Sequence, residues 1–174
     1  MRFVETSVAG AWLVEAEPRH DERGLFARVW CRDEFAKQGL RSDFVQCNAS
    51  FNPKAGTLRG MHYQTAPHPE IKLIQCVRGR VFDVIVDLRA GSRTYRRWYG
   101  VELSADNRTQ LYVPENCAHG YLTLEDNCEV QYPVTEVYHP ECERGLRWND
   151  PAIGIQWPIP PAMISSKDQQ WPAL

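Results

Sequence analysis

Val81-Phe82-Asp83-Val84-Ile85-Val86-Asp87-Leu88 alternates with the two-residue period of a β-strand. Phe82, Val84, Val86 and Leu88 fall on one face, and Val81, Asp83, Ile85 and Asp87 on the other. The second face sets two carboxylates among apolar side chains, which is costly in a plain core and natural in a strand lining a polar cavity. Working outward, similar β-prone runs occupy residues 11–15, 24–30, 44–50, 71–77, 99–103, 109–113, 120–124 and 129–134. Asn52-Pro53, Arg78-Gly79, Ala90-Gly91 and Pro114-Glu115-Asn116 punctuate them as turns. Only Arg32–Gln38 has helical character, stopping at Gly39, with a further short helix expected near Ser166–Gln170. Many closely spaced strands with almost no helix predict an all-β sandwich, jelly roll or barrel. No repeat, low-complexity segment or linker divides the chain. One domain over 1–174 is expected, with residues 151–174 as an irregular tail rich in Pro and Trp.

The composition narrows the function classes. A length of 174 residues is enough for one substantial core. A formal charge of −2 gives no footing for broad nucleic-acid binding. No apolar run approaches the ~20 residues of a membrane helix. The opening Met-Arg-Phe-Val-Glu-Thr lacks the apolar centre of a secretory signal. The expectation is a cytoplasmic protein with neither a nucleic acid nor a membrane as partner. Cys31, Cys47, Cys76, Cys117, Cys128 and Cys142 include no Cys-x-x-Cys pair, so free thiols, several of them buried, are expected. Cys117, beside Ala118-His119, has no thiolate-activating pattern around it.

The chemistry-bearing residues begin with Thr-Leu-Arg-Gly-Met-His-Tyr at 57–63 and Lys72 beyond it. Arg59 and His62 stand three apart, which places them on opposite faces of a regular strand. A bulge at Gly60 would turn both into one cavity. There, an Arg forks onto phosphate, a His takes a proton at neutral pH, and a Lys stabilises an oxyanion. Those are the parts for removing a proton beside a carbonyl in an anionic substrate. A surface Arg, a core His and a solvated Lys fit the same residue types. Gln46 and Asn48 share a strand face and need hydrogen-bond partners, either a ligand phosphate or neighbouring backbone. Asp21-Glu22-Arg23-Gly24-Leu25-Phe26 reads as a turn feeding a strand, and His119 follows the turn at Pro114. Ser165-Ser166-Lys167-Asp168 places an acid where it either orients a histidine or sits on a capped helix surface. Tyr132 precedes Pro133, whose missing backbone donor suits an edge strand or a bulge.

A catalytic metal is not expected. Such centres need two or three His, often as His-x-His, with a carboxylate. His62 is followed by Tyr63-Gln64, His68 lies between prolines, and His20 and His139 fall in turn-like segments.

In this order, the elements resemble the dTDP-4-dehydrorhamnose 3,5-epimerase family. The resemblance runs from about Ala11 to Pro172. It rests on Asp-Glu-Arg-Gly-Leu-Phe (21–26), Phe-Val-Gln-Cys-Asn-Ala-Ser (44–50), Gly-Thr-Leu-Arg-Gly-Met-His-Tyr-Gln (56–64) and Ile-Lys-Leu-Ile (71–74). It continues through Asp-Val-Ile-Val-Asp-Leu-Arg (83–89), Ala-His-Gly-Tyr (118–121), Tyr-His-Pro-Glu-Cys-Glu (138–143), Trp-Asn-Asp-Pro (148–151) and Ser-Ser-Lys-Asp (165–168). Each is weak alone, but nine in register are strong.

The resemblance implies a cupin-type jelly roll, a homodimer, a nucleotide-sugar substrate and no cofactor or metal. It implies His62 as proton acceptor oriented by Asp168, Tyr132 as proton donor on the opposite sugar face, and Lys72 near the C4 oxygen. Arg59, Gln46 and Asn48 would hold the diphosphate and Tyr138 would stack on thymine. Arg23, His119, Glu143 and Lys167 match further ligand contacts, and the region of Arg23 and Phe26 reaches into a neighbouring subunit. Departures from the family pattern are Arg28 in place of a common Glu, Glu70 in place of a frequent Gln, and Ser-Arg-Thr-Tyr-Arg at 92–96. Epimerisation at C3 or C5 alone, on a related 4-keto nucleotide sugar, fits the same motifs. So does a non-catalytic sugar-nucleotide-binding cupin, though binding alone needs no acid–base pair. A metal-dependent cupin oxygenase is disfavoured by the missing His-x-His.

Overall fold

A computed structural model describes residues 1–174. In chain order the strands are β1 (Arg2–Glu5), β2 (Trp12–Glu15), β3 (Arg19–Asp21), β4 (Gly24–Phe26), β5 (Gln46–Asn52), β6 (Thr57–Gln64) and β7 (Lys72–Arg78). They continue with β8 (Arg80–Asp87), β9 (Trp98–Ser104), β10 (Thr109–Val113), β11 (Cys117–Thr123), β12 (Cys128–Val134), β13 (Glu143–Gly145) and β14 (Met163–Ile164). Two short helices, α1 (Arg32–Lys37) and α2 (Ser166–Gln169), complete the set.

One sheet runs β1-β2-β10-β7-β12-β5 and the other β13-β6-β11-β8-β9, with β14 added parallel to β6. Alternation sorts the side chains of both sheets. Ile74, Cys76, Leu111, Val113 and Val130 of the first sheet meet Val81, Ile85, Leu103, Cys117 and Tyr121 of the second in one core. The opposite face of β8, carrying Val84 and Val86, packs with Met61 and Ala118 under Leu146, Ile153 and Ile155. Phe35 of α1 covers Val14, Leu73 and Tyr112 on the outside of the first sheet. Both sheets are therefore apolar on both faces, and the residue 151–174 region serves as a cover. The result is the cupin-type jelly roll that the strand pattern and the resemblance imply. No helix is long and apolar enough to cross a membrane.

Three local expectations change. The run at 24–30 is a strand only through Phe26, because β4 pairs solely with β3 in a separate two-stranded hairpin. The strand at 44–50 starts at Gln46 and extends to Asn52, following its pairing with β12. Tyr132 is not on an edge strand, since β12 lies between β7 and β5. The missing donor of Pro133 is accommodated by a gap in the β12–β7 pairing between Gln131↔Gln75 and Val134↔Lys72.

Candidate active site

The polar cavity lies at one end of the space between the sheets. It measures about 450 Å³ and is walled by Arg59, His62, Lys72, His119, Tyr121, Tyr132, Lys167 and Asp168, among others. Strand parity explains most of this set. Lys72 continues the inward row of Ile74 and Cys76, Tyr132 that of Val130, and His119 that of Cys117 and Tyr121. Arg59 and His62 break parity, as anticipated. His119 pairs with His62 and Tyr121 with Arg59, so three steps on β6 oppose two on β11. That extra residue is a bulge, and it turns both side chains inward.

The bulge is made possible by two glycines facing each other. Gly60 has φ 131°, and a Cβ on it would come within 2.5 Å of the Gly120 Cα. A Cβ on Gly120 would meet the Arg59 carbonyl oxygen at 2.7 Å and the Met61 sulfur at 2.6 Å. Gly60 was legible in the sequence as a bend, whereas Gly120 was not, because its role depends on a strand pairing.

His62 Nε2 lies 2.6 Å from Asp168 Oδ1, and the other carboxylate oxygen accepts the Gly60 N–H at 3.2 Å. Ser165 caps α2 by accepting the Asp168 N–H at 3.1 Å, which fixes where the carboxylate points. Burial alone would push the Asp168 carboxyl up, but His62, Gly60 and Ser165 together hold it below the ordinary carboxylate range. Trp171 stands edge-on to His62 at 6.0 Å between ring centroids. It occupies the space a Cβ would fill at Gly145, the residue opposite His62 on β13.

Facing this pair, burial pushes the Tyr132 hydroxyl above its ordinary value, so the phenol keeps its proton at neutral pH. Lys72 Nζ is ion-paired with Glu70, and the two side chains are only 10% and 11% exposed. His119 Nε2 contacts both oxygens of Asp83 at 3.0 and 2.9 Å. Burial raises the Asp83 carboxyl, with His119 acting against it. Asp83 is thus the acid on β8 that serves the cavity wall. Asp87 instead binds Arg89, Ser92 and Thr94 at the strand end.

Arg59 donates through Nε to Asn52 at 2.7 Å, and no carboxylate pairs with it. Asn52 donates to the Tyr121 hydroxyl at 3.1 Å, which donates to Ser50 at 2.8 Å. The guanidinium NH2 groups make no hydrogen bond within the chain. Gln46 and Asn48 bond to each other at 2.9 Å, on the same face of β5 as the cavity residue Ser50. Asn48 is directly opposite Tyr132 in the β5–β12 pairing. At the rim, the Tyr138 hydroxyl donates to Glu143 at 2.8 Å, and Lys167 donates to the same carboxylate at 2.6 Å.

Arg23 and Phe26 are not brought to this cavity. Arg23 pairs with Asp21 on the β3–β4 hairpin, and Phe26 is 74% exposed. Arg28 is bound to Glu34 of α1 at 2.7 Å and does not line the active-site cavity. Cys117 is buried, and burial pushes its thiol up to about 12, which removes it as a nucleophile. The residues that sequence reasoning missed are Glu70 as the partner of Lys72, Asn52 and Tyr121 behind Arg59, and Trp171 behind His62.

A jelly roll whose cavity sets a His–Asp pair, a protonated tyrosine and a lysine around one volume, with an unpaired arginine beside them, defines an acid–base enzyme of the cupin class for an anionic substrate. The chain belongs to the dTDP-4-dehydrorhamnose 3,5-epimerase family, whose sequence model matches residues 5–174. A relative of that name from Methanothermobacter thermautotrophicus is 46% identical, over 99% of this chain and 94% of its own. The crystal structure of dTDP-4-dehydrorhamnose 3,5-epimerase from Bacillus anthracis str. Ames, with TDP and PPi bound, superposes with a TM-score of 0.96. It is 40% identical and covers 99% of each chain. The dTDP-6-deoxy-D-glucose-3,5-epimerase of Legionella pneumophila, in complex with dTDP-4-keto-L-rhamnose, gives 0.90 at 36% identity, over 96% of this chain and 89% of its own.

Proposed function

We propose that this chain inverts C3 and C5 of dTDP-4-dehydro-6-deoxy-D-glucose, giving dTDP-4-dehydro-L-rhamnose. The convergence of the His62–Asp168 pair and Tyr132 on one cavity carries the reading. The C4 ketone acidifies the hydrogens on C3 and C5. Asp168 holds one ring nitrogen of His62, and the other accepts the proton. Lys72 stabilises the enolate oxygen, worth a few kcal/mol on the scale of one oxyanion donor. Tyr132 returns a proton from the opposite face, which inverts the centre. No cofactor is needed for this sequence of proton transfers.

Arg59, Gln46 and Asn48 take the diphosphate, and His119 and Lys167 contact the ligand from the cavity wall. Tyr138 stacks on thymine at the rim, with Glu143 holding its hydroxyl. The chain works as one domain, with the 151–174 tail supplying Asp168, and its setting is the cytoplasm. Arg23 and Phe26, which do not reach their own protomer's cavity, act in the partner's cavity of a two-fold homodimer. Light scattering should accordingly give twice the 20.1 kDa of one chain.

The decisive experiment is NMR of the 4-keto substrate with enzyme in D2O. Deuterium entry and inversion at both C3 and C5 are expected. Deuterium at one carbon alone would make the chain a mono-epimerase, and none at either would leave a binding protein.

A further inference from the structure

Away from the cavity, two histidines and a glutamate meet where the loop after β6 touches the segment after β12. We propose that His68, Glu136 and His139 form a non-catalytic site for a divalent transition ion of the zinc, cobalt and nickel type. One ligand atom from each lies within 4.8 Å of the other two. None of the three lines the active-site cavity. His68 Nδ1 is 3.4 Å from Glu136 Oε2, and His139 Nε2 is 3.9 Å from Glu136 Oε1. Two imidazoles and one carboxylate suit a borderline transition ion and not calcium or magnesium.

The surroundings are arranged as a metal site requires. His139 Nδ1 is 3.2 Å from Glu141 Oε1. A proton on Nδ1 directed at that carboxylate leaves Nε2 free to ligate, the outer-carboxylate pattern that orients metal-binding histidines. Gln64, only 2% exposed, ties the two backbone segments together. Its amide donates to the carbonyls of His68 (3.1 Å) and Val137 (3.2 Å), and its oxygen accepts the His139 N–H at 2.6 Å. Thr135 adds a second tie by accepting the Ile71 N–H at 2.9 Å. The two imidazole rings are stacked 3.6 Å apart and nearly parallel at 7°. Parallel rings do not aim their lone pairs at one point, so one ring must rotate to ligate. Their side chains are 34% and 25% exposed, which leaves room for that rotation. The bound ion would staple the 65–71 loop to the segment that carries Tyr138.

The test uses the full chain without a purification tag, dialysed against chelator and then titrated with CoCl2 and ZnCl2. One Co2+ per chain with visible d–d absorption and no thiolate charge-transfer band is expected, together with a zinc-dependent rise in Tm. His68→Gln, Glu136→Gln and His139→Gln should each weaken Co2+ binding by about tenfold or more, on the scale of lost site groups. Failure of the wild-type chain to bind Co2+ would overturn the proposal without recourse to any variant. A thiolate band, or undiminished binding in all three variants, would also overturn it. Epimerase activity of the chelated protein should be unchanged, because no catalytic group is involved.

Discussion

The Asp168 carboxylate meets His62 Nε2 at 2.6 Å although 106 residues of chain separate them. The contact joins the C-terminal helix turn to the bulge in β6, and the same carboxylate accepts the Gly60 N–H. One carboxylate therefore holds the imidazole and pins the backbone that presents it. Asp168→Asn preserves size but removes the charge that fixes the tautomer and stabilises the imidazolium. Deuterium exchange at C3 and C5 should fall by about 10²–10⁴-fold, with dTDP affinity retained. Near-native exchange in that variant would remove Asp168 from the mechanism.

Variants of the Lys72–Glu70 ion pair allow catalysis and stability to be measured separately. Both are nearly buried, so Lys72→Met strands a carboxylate without its partner. Breaking such a pair costs about 3–5 kcal/mol. Adding Glu70→Gln should return most of that stability in urea unfolding while turnover stays low. If the double variant regains turnover, Lys72 does not stabilise the enolate.

Arg59 is the cavity cation with no acidic partner, and Asn52 holds only its Nε. Arg59→Ala should weaken binding of dTDP itself by calorimetry, with no sugar present. A charge-assisted contact of this kind is worth roughly 1.5–3 kcal/mol, or about 10–150-fold in affinity. Unchanged dTDP affinity would place the diphosphate elsewhere.

Asp87 governs part of the acid stability. Burial alone would raise its carboxyl, but Arg89, Ser92 and Thr94 hold it down to about 2. A depressed carboxyl contributes stability that is present above its unfolded value, 3.8, and lost as pH falls through the folded value. Against that reference the contribution at neutral pH is about 2 kcal/mol, and it disappears between roughly pH 4 and 2. Urea unfolding of Asp87→Asn should show lower stability at pH 7 and a shallower loss over that acid window. Equal slopes in the two proteins would contradict the assignment.

How much of this was legible depended on the range of the interaction. The alternation of 81–88 was local, and it correctly separated Val81 and Ile85 from Val84 and Val86. The bulge at Gly60 was also readable, because Arg59 and His62 cannot share a face without one. Gly120 was invisible because it matters only through the β6–β11 pairing. Glu70 stands two residues from Lys72, the same-face spacing, but it precedes the strand and carried no periodic signal. Pro133 left two remedies open for its missing donor, an edge position or a local irregularity in pairing, and the fold uses the second. Gly24–Trp30 was overextended because β propensity does not say where a strand will find a neighbour. The His62–Asp168 contact came only from the resemblance, since no local pattern spans that separation.

Tyr132 provides the sharpest test. It shares the cavity with His62 but projects from β12 of the facing sheet, opposite Asn48 of β5. Burial keeps its hydroxyl protonated. A base on one sheet and an acid on the other suits removal of a proton from one sugar face and its return to the opposite face. Tyr132→Phe deletes only the hydroxyl and keeps the ring that fills the wall. Abstraction by His62 should survive, so substrate hydrogen still exchanges with solvent deuterium at C3, C5 or both. Inverted product should fall much further than exchange, because the enolate is then reprotonated from the face it left. NMR in D2O reads both quantities from one sample. Parallel loss of exchange and inversion would mean that Tyr132 is not a separate acid, and undiminished inversion would mean that another group delivers the proton.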